Sequence, residues 1–344
     1  MRKIAGILGL VLCLGLGGCG TQDSGAYGRG MEALQQGDYN TAIEEFQKAA
    51  DQDGRKAEAY RGQGIACLRE RDYARALTLF SLSLDEMKHS NKAFRQDVLF
   101  YQAEAYEENG QDSEAEAVWE QIIQESKDPR AYVLRGGRKL REGDAAGAGE
   151  DFESALEQEN SYQIYLQIYH ACAAANREAD GAGYLERALE IEPEGEEDSR
   201  LLAQICYYLG DDQKAREDLS KAAEQGDEAS VMMLGRLYLE TGETAAARTL
   251  YQNYLEEGEQ PAAAYNGLAL CDIQEKEYDS ALENIRRGIE CGDQEVMRDL
   301  LYNEIVVFEN QLDFETAKSK MQEFLEKYPG DQEAVRENTF LQSR

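Results

Sequence analysis

Histidine is almost absent from this chain, which has two in 344 residues. A Ser/His/Asp arrangement would need His89 or His170 beside an activated serine, and the sequence has no Gly-x-Ser-x-Gly elbow to present one. A Walker-type phosphate loop is missing as well. The scarcity of such groups predicts a protein that is not an enzyme and uses no cofactor.

Basic residues are outnumbered by acidic ones, 36 to 68, which gives a formal net charge of −32. A surface of this sign repels nucleic acid and anionic lipid headgroups, so no nucleic-acid partner is expected. We interpret the acidity as a source of solubility in preference to a specific cation site. Residues 51–54 resemble the beginning of a calcium loop, but the glycine comes too early and no ligand series continues. Neither a metal site nor a small-molecule substrate is predicted.

Long apolar runs are also missing, apart from a short one near the amino terminus. Arg2 and Lys3 are followed by an apolar run over positions 4–16. Spanning a bilayer takes roughly 20 apolar residues, so this run predicts a secretory signal and not a membrane span. The remainder of the chain has no run long enough to span a membrane and is predicted to be soluble.

The apolar run leads into Leu-Gly-Gly-Cys at residues 16–19. The order of charge, apolar run and tetrapeptide resembles the lipobox of bacterial lipoproteins, in which a peptidase cuts before a lipid-modified cysteine. The resemblance implies a lipoprotein signal peptide at 1–18, acyl chains such as palmitate on Cys19, and a lipidated tether at 19–24. The protein would then be anchored to the cell membrane on its extracytoplasmic face. Gly20 after the cysteine would favour the outer membrane in a host with two membranes. The alternative is an ordinary signal peptide with a chance cysteine.

A small residue recurs along the chain at intervals of roughly 34 residues. Twelve positions before each of these anchors the residue is also small, except at Tyr169 and Ile305. Small residues at both places allow two helices to pack closely. The anchors are Ala42, Ala76, Ala115, Ala148, Gly181, Ala215, Ala247, Ala281 and Ala317.

Two further positions keep a constant distance from each anchor. Five residues before it, glycine or asparagine predominates, as expected where a first helix ends and the backbone needs a positive φ. These turn positions are Gly37, Arg71, Gly110, Gly143, Asn176, Gly210, Gly242, Lys276 and Leu312. Four residues after the anchor stands a large apolar residue that can fill the space between helices. These wedge positions are Phe46, Phe80, Trp119, Phe152, Leu185, Leu219, Tyr251, Ile285 and Met321.

This period, together with these positions, resembles the tetratricopeptide repeat family. The resemblance implies an all-α fold, a right-handed superhelical α-solenoid of about nine helical hairpins at 25–330 with a C-terminal capping helix at 331–344. Residues 221–229 resemble the related Sel1 repeat, which is also a helical hairpin. The longer interval between Ala76 and Ala115 predicts about five extra residues near 88–92, as a longer loop or an extended helix.

Seven cysteines are present, of which Cys13 and Cys19 belong to the signal and the lipobox. Cys67, Cys172 and Cys206 occupy equivalent points of their hairpins, nine residues before an anchor. Such points in adjacent repeats are separated by the helix spacing of roughly 8–10 Å, whereas disulfide-bonded Cα atoms lie within about 7 Å. The five cysteines outside the signal and lipobox are therefore predicted to be free thiols that fill the core.

In the tetratricopeptide family the first helix of each hairpin lines a concave groove. The resemblance implies that a protein or peptide partner binds there, at a fixed set of first-helix positions that precede each anchor. Part of this lining is expected to be buried between repeats. In the third repeat, Asp97, Glu104, Glu107 and Glu108 are predicted to form an acidic patch for a basic segment. The predicted contact residues are Arg61, Ile65, Arg69, Phe100, Arg141, Tyr207, Tyr208, Met232, Arg236, Leu270 and Tyr302.

Three classes of function remain in competition. The first is a membrane-anchored extracytoplasmic scaffold that binds a protein or peptide segment in its groove. The second is a non-catalytic subunit of an envelope assembly or secretion machine, for which one stable complex would be purified from membranes. The third, an enzyme or enzyme regulator of cell-wall metabolism, is disfavoured because the sequence lacks a catalytic constellation.

Overall fold

The structure, a computed structural model, describes residues 25–52, 54–87, 91–257, 261–342 and 344. These residues form nineteen α-helices and no strand, which confirms the predicted all-α fold. The predicted signal peptide, Cys19 and the tether lie outside the described residues. Within the described ranges, no helix combines the length and apolar character that crossing a membrane requires.

The described residues form two compact units, 25–175 and 176–344. In the first unit, successive helices pack against one another as hairpins. Its helices are α1 (Ala26–Gln35), α2 (Tyr39–Gln52), α3 (Lys56–Arg69), α4 (Tyr73–Glu86), α5 (Lys92–Glu108), α6 (Asp112–Ser126), α7 (Pro129–Glu142), α8 (Ala145–Gln158) and α9 (Tyr162–Ala174).

The second unit repeats the same arrangement, and its last helix packs against the one before it as the predicted cap. Its helices are α10 (Glu178–Ala188), α11 (Glu196–Leu209), α12 (Asp212–Glu224), α13 (Glu228–Glu240), α14 (Thr244–Glu257), α15 (Pro261–Glu275), α16 (Tyr278–Glu290), α17 (Gln294–Asn310), α18 (Phe314–Lys327) and α19 (Gln332–Gln342). The odd-numbered helices up to α17 are the first helices of the predicted hairpins.

The extra residues of the long repeat interval lengthen a helix. Helix α5 has 17 residues, whereas the equivalent first helices α3 and α7 have 14 each. Its N-cap is Asn91, whose side chain accepts a hydrogen bond from the backbone N–H of Phe94. The longer helix accounts for three of the extra residues, and positions 88–90 lie outside the described residues.

The anchors predicted from the sequence all lie in the core. The eight anchor alanines are fully buried, and Gly181 is buried as well. Tyr169 and Ile305, the two large residues at a position otherwise taken by small ones, are also buried, at 0% and 1% exposed. The repeat register read from the sequence therefore holds in both units, including the fifth and ninth repeats.

The backbone is in the left-handed conformation at every predicted turn position. All nine have φ between 56° and 90°, five of them glycines. Arg71, Lys276 and Leu312 adopt φ near 64° although they carry a Cβ. The hairpin turn imposes this conformation. The backbone N–H of the next residue, an aspartate or glutamate, donates a hydrogen bond to a carbonyl in the last turn of the first helix, as at Asp72 and Asp313.

The wedge residues fill the space between adjacent first helices. Phe46 is fully buried between Gly30 of α1 and Gly62 of α3. A Cβ on either glycine would lie 2.8 Å or 2.6 Å from the phenylalanine ring, closer than carbon atoms can approach. Tyr251 is held in the same way between Gly235 and Gly267. The small residues twelve positions before the anchors therefore serve to admit one large side chain per hairpin.

All five cysteines in the described residues are free, in agreement with the prediction. Cys67, Cys172, Cys206 and Cys271 are buried, whereas Cys291 is exposed. Burial raises the pKa of the Cys67 and Cys271 thiols to about 11. Both burial and the high pKa suppress the thiolate, the form that reacts with alkylating reagents.

We therefore expect alkylation in native buffer at pH 8 to label Cys291 and to leave the four buried cysteines unmodified until denaturant is added. Quantitative peptide mass spectrometry without reductant measures both states. A disulfide-linked peptide joining Cys172 to Cys206, or native labelling of Cys67 as fast as that of Cys291, would contradict this packing.

Candidate protein-binding surface

Ion pairs join the first helices of neighbouring hairpins in the first unit. Arg61 of α3 pairs with Asp97 of α5 at 2.6 Å. Arg69 of α3 pairs with Glu104 of α5 at 3.0 Å. The two arginines of α3 that were predicted to contact a partner are thus engaged with acids one repeat further along the chain.

The row of pairs continues from α5 to α7. Arg141 of α7 donates to Glu107 at 3.0 Å, and the indole Nε1–H of Trp119 donates to the other oxygen of Glu107 at 2.8 Å. The hydroxyl of Tyr73 lies 3.4 Å from a Glu108 oxygen. All four acids of the predicted acidic patch are therefore hydrogen-bonded within the chain, so a basic segment would have to compete with these contacts.

The side chains of Asp97, Glu104 and Glu107 are partly shielded from solvent. Burial raises the pKa of Asp97, Glu104 and Glu107, and the neighbouring arginine acts in the opposite direction at each of them. A partner that displaced one of these arginines would leave a half-buried carboxylate without its counter-charge, which is destabilising. The ion-pair row therefore holds neighbouring hairpins together, and a partner cannot use its arginines without loss of stability.

The apolar groove positions of α3, α5 and α7 are covered, whereas Met31 and Leu34 of α1 are half-buried. Ile65 and Phe100 are 6% and 1% exposed, and the guanidinium of Arg130 lies over the Phe100 ring at 4.8 Å. Val133 and Leu140 are buried too. Ile65 and Phe100 therefore belong to the part of the lining that was expected to be buried between repeats, and they offer no surface to a partner in this structure.

Tyr207 in the second unit is a supporting residue. It is 4% exposed, and its hydroxyl donates to Glu240 of the next first helix at 3.0 Å. Its neighbour Tyr208 is half-buried, with the two rings edge to face at 5.5 Å between centroids. Of the two tyrosines predicted to contact a partner, Tyr208 is accessible and Tyr207 positions it.

The second unit leaves a set of groove positions open. Eight side chains at the predicted positions are half-buried, neither covered by neighbours nor fully exposed. They lie on α11, α13, α15 and α17, which contact one another in that order. We call this set the apolar face, and it consists of Tyr208, Met232, Arg236, Leu239, Leu270, Ile273, Tyr302 and Val306.

Hydrogen bonds between first helices fix the spacing of the apolar face. The side-chain amide of Gln274 on α15 donates to the Leu239 carbonyl of α13 at 3.1 Å. The amide of Asn303 on α17 donates to Asn266 of α15 at 2.8 Å. These contacts use polar groups at the edge of the face and leave its apolar side chains uncovered.

Arg236 is the one cation of the apolar face. Its side chain is 42% exposed, and its contact with Glu240 is long, at 3.5 Å. Its charge also lowers the pKa of Asp299 on α17, although burial raises that pKa more. Arg236 is therefore less closely paired than Arg61, Arg69 and Arg141 of the first unit.

The composition of the apolar face is that of a protein interface core. Tyrosine, methionine and arginine are enriched in such cores, and charged residues are pushed to the rim.

The described part of the chain contains no cluster of histidine, cysteine, aspartate and glutamate that could hold a metal ion. Burial lowers the pKa of His170 to about 4, so this imidazole is neutral at physiological pH.

The fold and this surface define a helical-repeat scaffold of the kind that typically mediates protein–protein interaction. Tetratricopeptide repeat family models match residues 27–87 and 232–295, and a second such model matches 97–128. Tetratricopeptide repeats are therefore present in both units.

Solved structures of other helical-repeat proteins resemble the chain. A tetratricopeptide repeat protein from Parabacteroides merdae is 16% identical, with 81% of this chain and 97% of that chain covered and a TM-score of 0.42. Yeast Tom70 is 14% identical, covering 93% and 89%, with a TM-score of 0.47. The Cut9-Hcn1 hetero-tetramer of the APC/C is 14% identical, covering 92% and 62%, with a TM-score of 0.43. No curated protein matches the sequence.

Proposed function

We propose that this protein is a membrane-anchored extracytoplasmic scaffold that binds a protein or peptide segment on the apolar face. The observation that supports binding is the difference between the two units. On α3, α5 and α7 of the first unit the apolar groove positions are buried and the arginines are ion-paired, whereas the positions of the apolar face are half-buried on four successive first helices. When a partner covers the half-buried tyrosine, methionine and leucine side chains, the burial of their apolar surface lowers the free energy of the complex.

A second candidate is a non-catalytic subunit of an envelope assembly or secretion machine. It uses the same apolar face but predicts one permanent partner in place of exchangeable ones. Affinity purification from membranes separates the two, because a machine subunit is recovered in a fixed stoichiometry. The inter-repeat ion pairs of the first unit are compatible with either role.

The anchor is proposed from the sequence around Cys19. We expect Cys19→Ser to release the protein from the membrane fraction or to leave an uncut precursor, because stable anchoring needs about two acyl chains or more. Fractionation followed by intact-mass measurement of the amino-terminal peptide decides between these forms. Retention of a fully processed Cys19→Ser protein in the membrane fraction would refute the lipid anchor and leave binding untouched.

The binding surface is tested by photocrosslinking in intact cells. A photoreactive phenylalanine analogue is placed at Tyr208 or Leu270 on the apolar face, and at Leu312 as the matched control. Leu312 is 73% exposed and lies in a hairpin turn, away from the groove positions. We expect a discrete crosslinked product from the first two sites and none from the control.

Mass spectrometry of the product identifies the partner segment. Equal crosslinking at all three sites, or crosslinking at Leu312 alone, would show that a partner does not use the apolar face. The Cys19→Ser result and this result are independent, so the anchor and the binding surface can each fail separately.

A further inference from the structure

The buried acids of the described residues are balanced by cations. Glu45, Asp151 and Asp272 are the buried acids among the described residues, and each pairs with an arginine. The contacts are between 2.6 and 2.8 Å. Against this pattern, an acid without a neighbouring cation is unusual.

Glu309 in the last turn of α17 is half-buried and has no cation acting on its carboxyl group. Its Oε1 atom is buried and has no hydrogen-bond partner among the described residues. Burial, and then the charge of Glu337 on α19 and a side-chain hydrogen bond between the two carboxyl groups, raise the pKa of Glu309 to about 7. No cation contributes an opposing effect at this carboxyl. Two carboxyl groups thus face each other where the capping helix meets the last hairpin.

The nearby cations are committed to other acids. Arg298 on α17 pairs with Asp331 at 2.8 Å and with Glu333 at 3.2 Å, and it donates to Asp299 at 2.9 Å. On α18, Lys320 pairs with Glu304 of α17 at 3.2 Å and with Glu323 of its own helix at 3.7 Å. Neither side chain can turn to the Glu309–Glu337 pair without giving up an existing ion pair.

The carboxyl pair adjoins the apolar face. Glu309 lies one helical turn after Val306 and two turns after Tyr302, on the same side of α17. Burial raises the pKa of the Tyr302 hydroxyl, and the charges of Glu333, Glu337 and Glu309 add to this effect. An extended or helical segment lying along the apolar face would therefore reach two carboxylates at this end of it.

We propose that the segment bound on the apolar face is amphipathic and carries a lysine or arginine that inserts between Glu309 and Glu337. This inference rests on the proposed binding function and specifies the chemistry of the partner. The apolar residues of the segment cover Tyr208, Met232 and Leu270, and its cation supplies the counter-charge that the two carboxyls lack. Charge complementarity thus fixes the direction in which the segment lies.

The arrangement couples binding to proton release. Without the cation, Glu309 keeps a raised pKa and is partly protonated at neutral pH. An adjacent lysine or arginine favours the ionised form and lowers that pKa, so a proton leaves on binding. Binding should then become tighter as the pH rises from about 6 to about 8, the range around the raised pKa.

The test uses a random 16-residue peptide library displayed on phage as the probe. The library is panned against the full-length protein, against Glu309→Gln/Glu337→Gln, and against Tyr208→Ala/Met232→Ala/Leu270→Ala. We expect the wild type to select apolar peptides with lysine or arginine at one fixed position, and the double glutamine variant to lose that preference. A selected peptide should bind at least about 30-fold more weakly when its basic residue is replaced by norleucine.

The peptide substitution needs no change to the protein, so a folding defect in a variant cannot obscure the result. Selected peptides without a basic position, or a norleucine peptide that binds as tightly as its parent, would overturn this inference and leave the proposed function intact. If the wild type selects no peptides in preference to the triple alanine variant, the apolar face is not a binding surface and both proposals fail. A dissociation constant that rises between pH 6 and pH 8 would also overturn the cation site.

Discussion

Replacing Phe80 with alanine is expected to lower the free energy of unfolding of the first unit by about 3–5 kcal/mol. Phe80 is fully buried, touches Gly64 closely and stacks on Tyr101 with 6.0 Å between ring centroids. The substitution removes the largest side chain between α3 and α5 and leaves a cavity that rigid helices cannot close. In a helical-repeat protein each hairpin is stabilised by its neighbours, so the loss extends to the repeats on either side.

The single tryptophan of the chain makes this measurement specific to the first unit. Trp119 is 2% exposed in α6, so its fluorescence reports the unfolding of residues 25–175 in urea. The matched control is Leu82→Ala on the same helix as Phe80, where the leucine is 40% exposed. We expect the control to change stability by less than about 1 kcal/mol. Equal losses for the two variants would contradict the role assigned to the wedge positions.

The repeat register was predictable because it depends on local chemistry. Each hairpin needs a positive φ at its turn, a small residue at the anchor and one large wedge residue. Gly37, Gly110 and Gly143 mark the turns directly, since glycine accepts a left-handed conformation without a steric cost. Once these are aligned, Arg71 and Leu312 are assigned to turns by their spacing, although neither residue favours a positive φ.

The pairing of charged side chains could not be predicted in the same way. The sequence places Arg61 and Arg69 on a groove-facing side of α3, and Asp97 and Glu104 on the same side of α5. Whether such residues meet each other or a partner depends on side-chain directions and on the distance between helices 35 or 36 residues apart in sequence. The signal that could have shown the pairing is an arginine in one first helix followed, one repeat later, by an acid in the next first helix.

The location of the open surface was predictable only in part. Tyr208, Met232, Arg236, Leu270 and Tyr302 were predicted as contact residues and are half-buried on one set of first helices. The same positions on α3, α5 and α7 are filled, and hydropathy does not distinguish a leucine that is covered from one that is not. The lipid anchor at Cys19 lies outside the described residues and stays a prediction.

Truncation of the apolar face is expected to have the larger effect on binding. We expect Tyr208→Ala/Met232→Ala/Leu270→Ala to weaken the binding of the crosslinked partner segment at least about 100-fold, because truncating a central interface anchor commonly costs about 2 kcal/mol or more. The three residues lie on three successive first helices, so one bound segment covers all of them. The loss should arise from faster dissociation, since these side chains carry no charge that steers association.

The control removes as many apolar side chains from outside the face. Leu189, Leu312 and Val335 are 46%, 73% and 47% exposed, and none occupies a groove position. Their simultaneous replacement by alanine should leave affinity unchanged within about twofold, because surface residues outside a binding site contribute little to its free energy. Both triple variants should retain their helicity by circular dichroism.

The most direct measurement is the dissociation constant of the crosslinked partner segment for wild type and both triple variants, at one salt concentration and one pH. A loss of about 100-fold or more for the apolar-face variant, with the control variant close to wild type, is the predicted result. Wild-type affinity in a folded apolar-face variant, or an equal loss in both variants, would contradict the claim that this protein binds its partner through the apolar face.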